Sequence, residues 1–178
     1  MAKATGIVRR IDDLGRVVIP KELRRTLKIR NGDPLEIYVD RAGQIMLKKY
    51  SPINELGQFA QEYAESLNEA LGHAAIITDK DSVVAVAGKN IKDLLNQTIG
   101  SAVEEVMESK KAEVFTTAVT ITEDQKSTFE TAVIAPIISE GTSIGTVVIA
   151  SREKAQMSNL EAKLAETAAG FLARQMEQ

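Results

Sequence analysis

Gly6-Ile7-Val8-Arg9-Arg10-Ile11, Asp12-Asp13-Leu14-Gly15, Arg16-Val17-Val18-Ile19 and Pro20-Lys21-Glu22-Leu23-Arg24-Arg25-Thr26-Leu27-Lys28 follow one another without a gap, and their reading decides the fold of the first domain. The first and third segments read as strands, because β-branched residues dominate them, and the second reads as the turn between them. Pro20 then opens a helix reaching about Lys28, since a proline at the first helical position loses no hydrogen bond. At 100° per residue, Lys21, Arg24, Arg25 and Lys28 fall within an arc of about 100°, with Leu23 and Leu27 on the opposite side. One side is built to pack and the other to present cations. Arginine suits a polyanion because its planar guanidinium binds phosphate in two-pronged fashion and reads guanine edges. Glu22 is the only acid from residue 14 to residue 32, so these cations lack local partners. Arg9, Arg10 and Arg16 of the hairpin can extend the patch, and alternation alone does not choose between Arg9 and Arg10.

Moving outward, Asn31-Gly32-Asp33-Pro34 is a turn signal. Leu35, Ile37 and Val39 alternate with Glu36, Tyr38 and Asp40, which is strand periodicity. Arg41-Ala42-Gly43 turns the chain, and Gln44 to Lys49 returns. Residues 1–50 therefore read as hairpin, short helix, hairpin. A chain of this size buries only about 60% of its unfolded surface or less, and neither a disulfide nor a metal site is available to staple it. The unit is expected to need a partner, most simply a second copy of itself. Charge points the same segment at a polyanion. Residues 1–50 hold 12 Lys/Arg against 6 Asp/Glu, a net +6, whereas residues 51–178 hold 10 against 19, a net −9.

Thr5 to Ile11, Leu14 to Pro20, Glu22 to Leu27 and Asp33 to Ile37 closely resemble the AbrB-type transition-state regulators. The resemblance implies a β-rich swapped-hairpin barrel, interlaced as a dimer with one short helix per chain. It also implies double-stranded DNA as partner, with contacts made by Arg9, Arg16, Arg24 and Arg25. It thereby favours Arg9 over Arg10.

Ser51-Pro52 marks the domain boundary. Leu56, Ala60, Tyr63, Leu67 and Leu71 recur at helical spacing up to Gly72. Ala74–Thr78 and Val83–Ala87 read as strands around Asp79-Lys80-Asp81-Ser82. Ile91 to about Lys111 reads as mostly helical with a break at Gly100-Ser101. Val114–Thr122 and Phe129–Ile138 read as strands around Glu123-Asp124-Gln125-Lys126, and Ser139-Glu140-Gly141 turns into a last strand, Ser143–Ala150. Ser158 with Glu161 is a capping box opening a C-terminal helix that carries Leu160, Leu164, Ala168, Phe171, Leu172 and Met176. This is an α+β, sensor-like plan for residues 51–178. Down to the ending Glu166 to Gln178, it resembles the GAF-like half carried by some AbrB-type regulators, and more loosely so across about 80–140. The resemblance implies that GAF helices around 53–71 and 158–176 join two swapped dimers into a homotetramer.

Composition narrows the chemistry. With 44% apolar and 26% charged residues the chain has globular values. No apolar run approaches the ~18 residues a membrane helix needs, and Met1 to Gly6 lacks the apolar stretch of a secretory signal. No membrane partner is expected, and a cytoplasmic location is. The absence of Cys excludes disulfides, thiol nucleophiles and Cys-based metal centres, and His73 is the sole His. Gly141-Thr142-Ser143-Ile144-Gly145 matches the G-x-S-x-G pattern, but a nucleophile elbow needs strand–turn–helix, and here a turn leads into a strand. Asn96-Gln97-Thr98 is a sequon without a secretion signal, and Glu104, Glu105 and Glu108 have the spacing of a solvated helix face. No catalytic residues, metal or cofactor are expected, and the effector of the GAF-like half, if any, is unassigned. The resemblance implies a sequence-specific transcriptional regulator of forespore genes in sporulation, activating some and repressing others. An antitoxin-like or nucleoid-type DNA binder of the same superfamily is the alternative.

Overall fold

The computed structural model describes residues 6–55, 57–124, 127–154 and 157–176. Thr5, Leu56, Gln125, Lys126, Glu177 and Gln178, which enter the sequence reading, lie outside the described residues. The chain divides into two compact units, Met1–Tyr50 and Ser51–Gln178.

The first unit holds helix α1 (Lys21–Thr26) and a hairpin of β1 (Leu35–Val39) and β2 (Ile45–Lys49). Asp40 shapes the hairpin turn, its Oδ1 accepting the backbone N–H of Ala42 and of Gln44. Lys49 Nζ donates to the Lys28 carbonyl and pairs with Asp33 at 3.2 Å, tying β2 to the end of the helix. The helix is shorter than expected. It stops at Thr26, and the backbone turns left-handed at Lys28 (φ 52°), where Ile29 N–H bonds back to the Arg24 carbonyl. Lys28 therefore lies beyond the helical arc. Residues 6–11 and 16–19 adopt no strand, although the turn joining them forms, with Gly15 N–H on the Asp12 carbonyl at 2.9 Å. A lone two-stranded ribbon is marginal in water, and the described residues of this unit put no buried apolar layer beneath it. Among the described residues of this unit only Pro20 is buried. Leu27, expected on a packing side, is exposed.

The second unit is built on a five-stranded antiparallel sheet ordered β4-β3-β9-β8-β5, with β3 (Ala74–Asp79), β4 (Val83–Ala87), β5 (Glu113–Phe115), β8 (Thr131–Ser139) and β9 (Thr142–Ser151). A small separate ribbon pairs β6 (Val119–Thr120) with β7 (Thr128–Phe129). Strand alternation distributes the core between two faces. Ile77, Val133, Ala135, Val147 and Ile149 pack under α2 (Pro52–Glu55), α3 (Gly57–Leu71) and α5 (Asn159–Gln175). Ile76, Ala132, Ile134, Val148 and Ala150 face the other way, against Val103 and Val106 of α4 (Ser101–Ser109). Small residues let α3 and α5 sit close on the sheet: Ala60, Ala64, Ala165 and Ala168 are fully buried. On the outer side of that pair, Phe171 stacks on Phe59 and Tyr63, with ring centroids 5.7 and 5.4 Å apart.

Polar devices fix the turns of this unit. The Asp79 carboxylate accepts the N–H of Asp81 and of Ser82 and the Ser51 hydroxyl, fastening the start of the unit to the β3–β4 turn. Ser158 and Glu161 form the expected capping box on α5. The expected helix over 91–99 shrinks to one 3-10 turn, Lys92–Leu94. Left-handed backbone at Asn90 and Asn96 breaks it, and the chain beyond is taken into bridges, Ser82 with Thr98 and Ile99 with Thr122. The G-x-S-x-G stretch lies at the β8–β9 turn and runs into β9, with Gly141 at φ 74°.

Candidate nucleic-acid interface

Arg9, Arg16, Arg24 and Arg25 all lie in the first unit, two on α1 and two in the segment before it. Arg9, Arg16 and Arg25 are exposed, while Arg24 is half-buried. Arg10 is exposed as well, so burial does not distinguish it from Arg9.

Two of the four are held by neighbours that the sequence reading had passed over as binding-site residues. Asp12 Oδ1 accepts the backbone N–H of Leu14 and Arg16, and Oδ2 takes Arg16 Nε at 2.8 Å. These bonds, first from the Arg16 backbone and then from its side chain, hold the Asp12 carboxyl below the usual carboxylate range. The pairing engages Arg16 through Nε, and the Arg16 side chain stays 69% exposed, open to a second anion. On the helix, Arg24 Nη1 donates to Asn31 Oδ1 at 2.8 Å, while its Nε is buried without a partner. That bond fixes the guanidinium of Arg24 against the turn after the helix, whereas neighbouring Arg25 points to solvent. The signal available in the sequence was Asp12 at the head of a turn with Arg16 four residues on, an arrangement in which aspartate bonds to its own turn.

What this geometry can do is electrostatic. A mostly exposed, partly pre-oriented set of guanidinium groups on a unit of net +6 offers charge-assisted hydrogen bonds to phosphate oxygens. Among the described residues no group of His, Cys, Asp and Glu is placed to hold a metal ion.

Comparison with known proteins assigns each unit. The transition state regulatory protein AbrB of Bacillus subtilis is 45% identical over 95 residues, covering 53% of this chain and 92% of its own. Residues 8–55 match the family described as antidote-toxin recognition MazE, bacterial antitoxin. The second unit has the fold of GAF domains. That of a phosphoenolpyruvate-protein phosphotransferase from Coxiella burnetii superposes with a TM-score of 0.58 at 22% identity, covering 68% of this chain and 82% of that one. The chain thus joins an AbrB-type unit to a GAF-type unit. Residues 55–177 match the family described as stage V sporulation protein T C-terminal, transcription factor. Stage V sporulation protein T of Bacillus subtilis is 54% identical over 182 residues, covering 99% of both chains. The chain belongs to the stage V sporulation protein T family.

Proposed function

We propose that this protein is a sequence-specific DNA-binding regulator of sporulation genes, acting in the forespore cytoplasm as both activator and repressor. Arg9, Arg16, Arg24 and Arg25 make the DNA contacts. The observation that carries this reading is the arginine set, three of its four members exposed, on a net +6 unit joined to a net −9 body. The family membership supports the regulatory role. No helix among the described residues is long and apolar enough to cross a membrane.

The DNA-binding form is a swapped dimer of the first unit. The register Ile37↔Leu47 and Val39↔Ile45 sets apolar pairs on one face of the hairpin, and all four side chains are exposed in the single chain. A second copy supplies the missing layer and the missing strand partners for residues 6–19. The GAF helices α3 and α5 then join two dimers into a tetramer. This reading includes no enzymatic activity and no cofactor: Cys nucleophiles are excluded and a Ser–His set could use only His73.

The match of residues 8–55 to an antitoxin family supports a second reading, an antitoxin-like or nucleoid-type binder. A folded second unit over 51–178 stands where an antitoxin carries a short toxin-binding tail. Protection mapping of genomic fragments with purified protein separates the readings. Discrete protected sites that survive competitor DNA support the regulator, and uniform coverage overturns it in favour of a nucleoid-type binder.

A further inference from the structure

The GAF-type unit holds a cleft of about 700 Å3 at one end of its sheet, where α3 leads into β3 and β4 leaves for the 3-10 turn. The cleft borders the core layer between the sheet and α4, since Ile91, Phe129 and Ala150 of that layer are in its lining. Its ionisable lining residues are His73, Lys89, Arg152 and Glu153. Three of these are basic types, in a unit that carries 10 Lys/Arg against 19 Asp/Glu.

Arg152 is placed there by its surroundings. Its guanidinium carbon lies 5.8 Å from the centroid of the buried Phe129 ring, within cation–π range. Its Nη2 donates to the Asn90 carbonyl at 2.9 Å. The turn that offers this carbonyl has left-handed backbone at Gly88 (φ 139°) and Asn90 (φ 56°). A Cβ at Gly88 would come within 3.2 Å of the Ala74 backbone, so the turn is seated tightly against β3. Among the described residues no carboxylate lies within ion-pair distance of Arg152. An oriented guanidinium in the lining of an open cleft, without an ion-pair partner among the described residues and with Lys89 and His73 in the same lining beside a single acid, Glu153, is an arrangement that favours an anion.

We infer that this cleft binds a small molecule bearing a carboxylate or phosphate group, with Arg152 as the anchor and Lys89 and His73 as supporting donors. The site is separate from the DNA-binding arginines. Its occupant would touch Asn68 and Gly72 at the end of α3, the helix whose Phe59 and Tyr63 stack on α5.

His73 is the only histidine, so its ring C–H resonances are identified by composition and report from the lining of the cleft. The full-length protein is titrated with inorganic phosphate and, separately, with citrate, at fixed pH and ionic strength, with sodium chloride as the control salt. The expected result is a saturable displacement of the His73 resonance by phosphate or citrate but not by chloride. Arg152→Gln should weaken it at least tenfold and Lys89→Gln several-fold. Lys89 is exposed, so its variant keeps the test valid if Arg152→Gln fails to fold. Which of the two anions saturates distinguishes a phosphate from a carboxylate ligand. Arg24→Ala/Arg25→Ala should leave this titration unchanged while removing DNA binding, so the two readings fail independently. No displacement, a displacement that chloride reproduces, or one that survives Lys89→Gln and Arg152→Gln overturns the proposal.

Discussion

In residues 51–178 the central strands are sealed: Ile76, Ile77, Ile134 and Ile149 are essentially inaccessible to solvent. In residues 1–50 the same kinds of side chain face water, Val8 at 87%, Ile45 at 71% and Ile37 at 65% exposed. Full burial of such a side chain is worth about 1.5–3 kcal/mol, so the first unit leaves unused what the second has already gained. The difference lies in what each unit can build from its own chain. Five strands and helices on both faces give the second unit two core layers. The first has one hairpin, a six-residue helix and a segment with no strand partner. A monomeric fold rarely carries so many exposed apolar side chains together, and the proposed second copy is what would cover them.

Substitutions can break or sharpen this comparison. The largest effect is expected for Ile37→Asp. If a second copy covers the hairpin face, light scattering should show the assembly losing mass, with DNA binding lost as well. If that face is ordinary surface, the change should lie within about 0.5 kcal/mol and leave the mass unaltered. Next comes Leu172→Ala, which hollows the layer between α5 and the sheet. Denaturant unfolding of the second unit should lose about 2–5 kcal/mol, and DNA affinity should stay unchanged wherever the protein remains folded. A shift that is instead shared by the first unit would show that the two do not unfold as separate cores.

Smaller still is the cap of α5. Ser158→Ala should cost about 1 kcal/mol, read as a lower midpoint of chemical denaturation. The cap also sets a pH dependence. Bonds from the Ser158 hydroxyl and then its N–H hold the Glu161 carboxyl below its ordinary value of 4.5. A lowered folded value means the unfolded chain takes up the proton first. The stabilisation is therefore present above the ordinary value and lost as pH falls through the folded one. Glu161→Gln should show a shallower loss of stability below about pH 4.5 than the parent. Identical acid profiles would remove Glu161 from the cap's energetics.

Much of the second unit was legible because its signals are local. Ser158 with Glu161 announced α5, Gly72 closed α3, and apolar runs such as Ala74–Thr78 marked strands that the structure forms. The failures came where long-range pairing outweighed local preference. Residues 91–99 look helical in composition, yet Asn90 and Asn96 turn left-handed and Thr98 and Ile99 are captured by bridges. In the first unit, β-branched residues marked 6–11 and 16–19 as strands, but among the described residues the two segments form the turn between them and no ladder beyond it. Arg9, Arg16, Arg24 and Arg25 could be named from the helix and the resemblance. The Asp12 contact with Arg16 was signalled only by an aspartate heading a turn, and the Asn31 contact that holds Arg24 gave no signal because it depends on the turn after the helix. Arg152 and Lys89 gave no sequence signal at all, being brought to one cleft only by the meeting of β4, β9 and the end of α3.

The central claim, that the first unit grips DNA through its arginines, is tested most directly by measuring DNA affinity against salt for the parent and for Arg24→Ala/Arg25→Ala. Phosphate neutralisation releases counterions, so log affinity falls with log salt at about −0.9 per contact. With four arginines from each chain of a dimer, the parent should show a slope on the order of −5 to −7 if most touch phosphate. The double variant should lose most of its affinity and flatten the slope by about 3–4, with oligomer mass unchanged and melting lowered by no more than the loss of the Arg24–Asn31 bond allows. An arginine that reads a base should instead cost about 1–3 kcal/mol and relax preference at one position. Full affinity retained by the double variant at physiological salt would contradict the account.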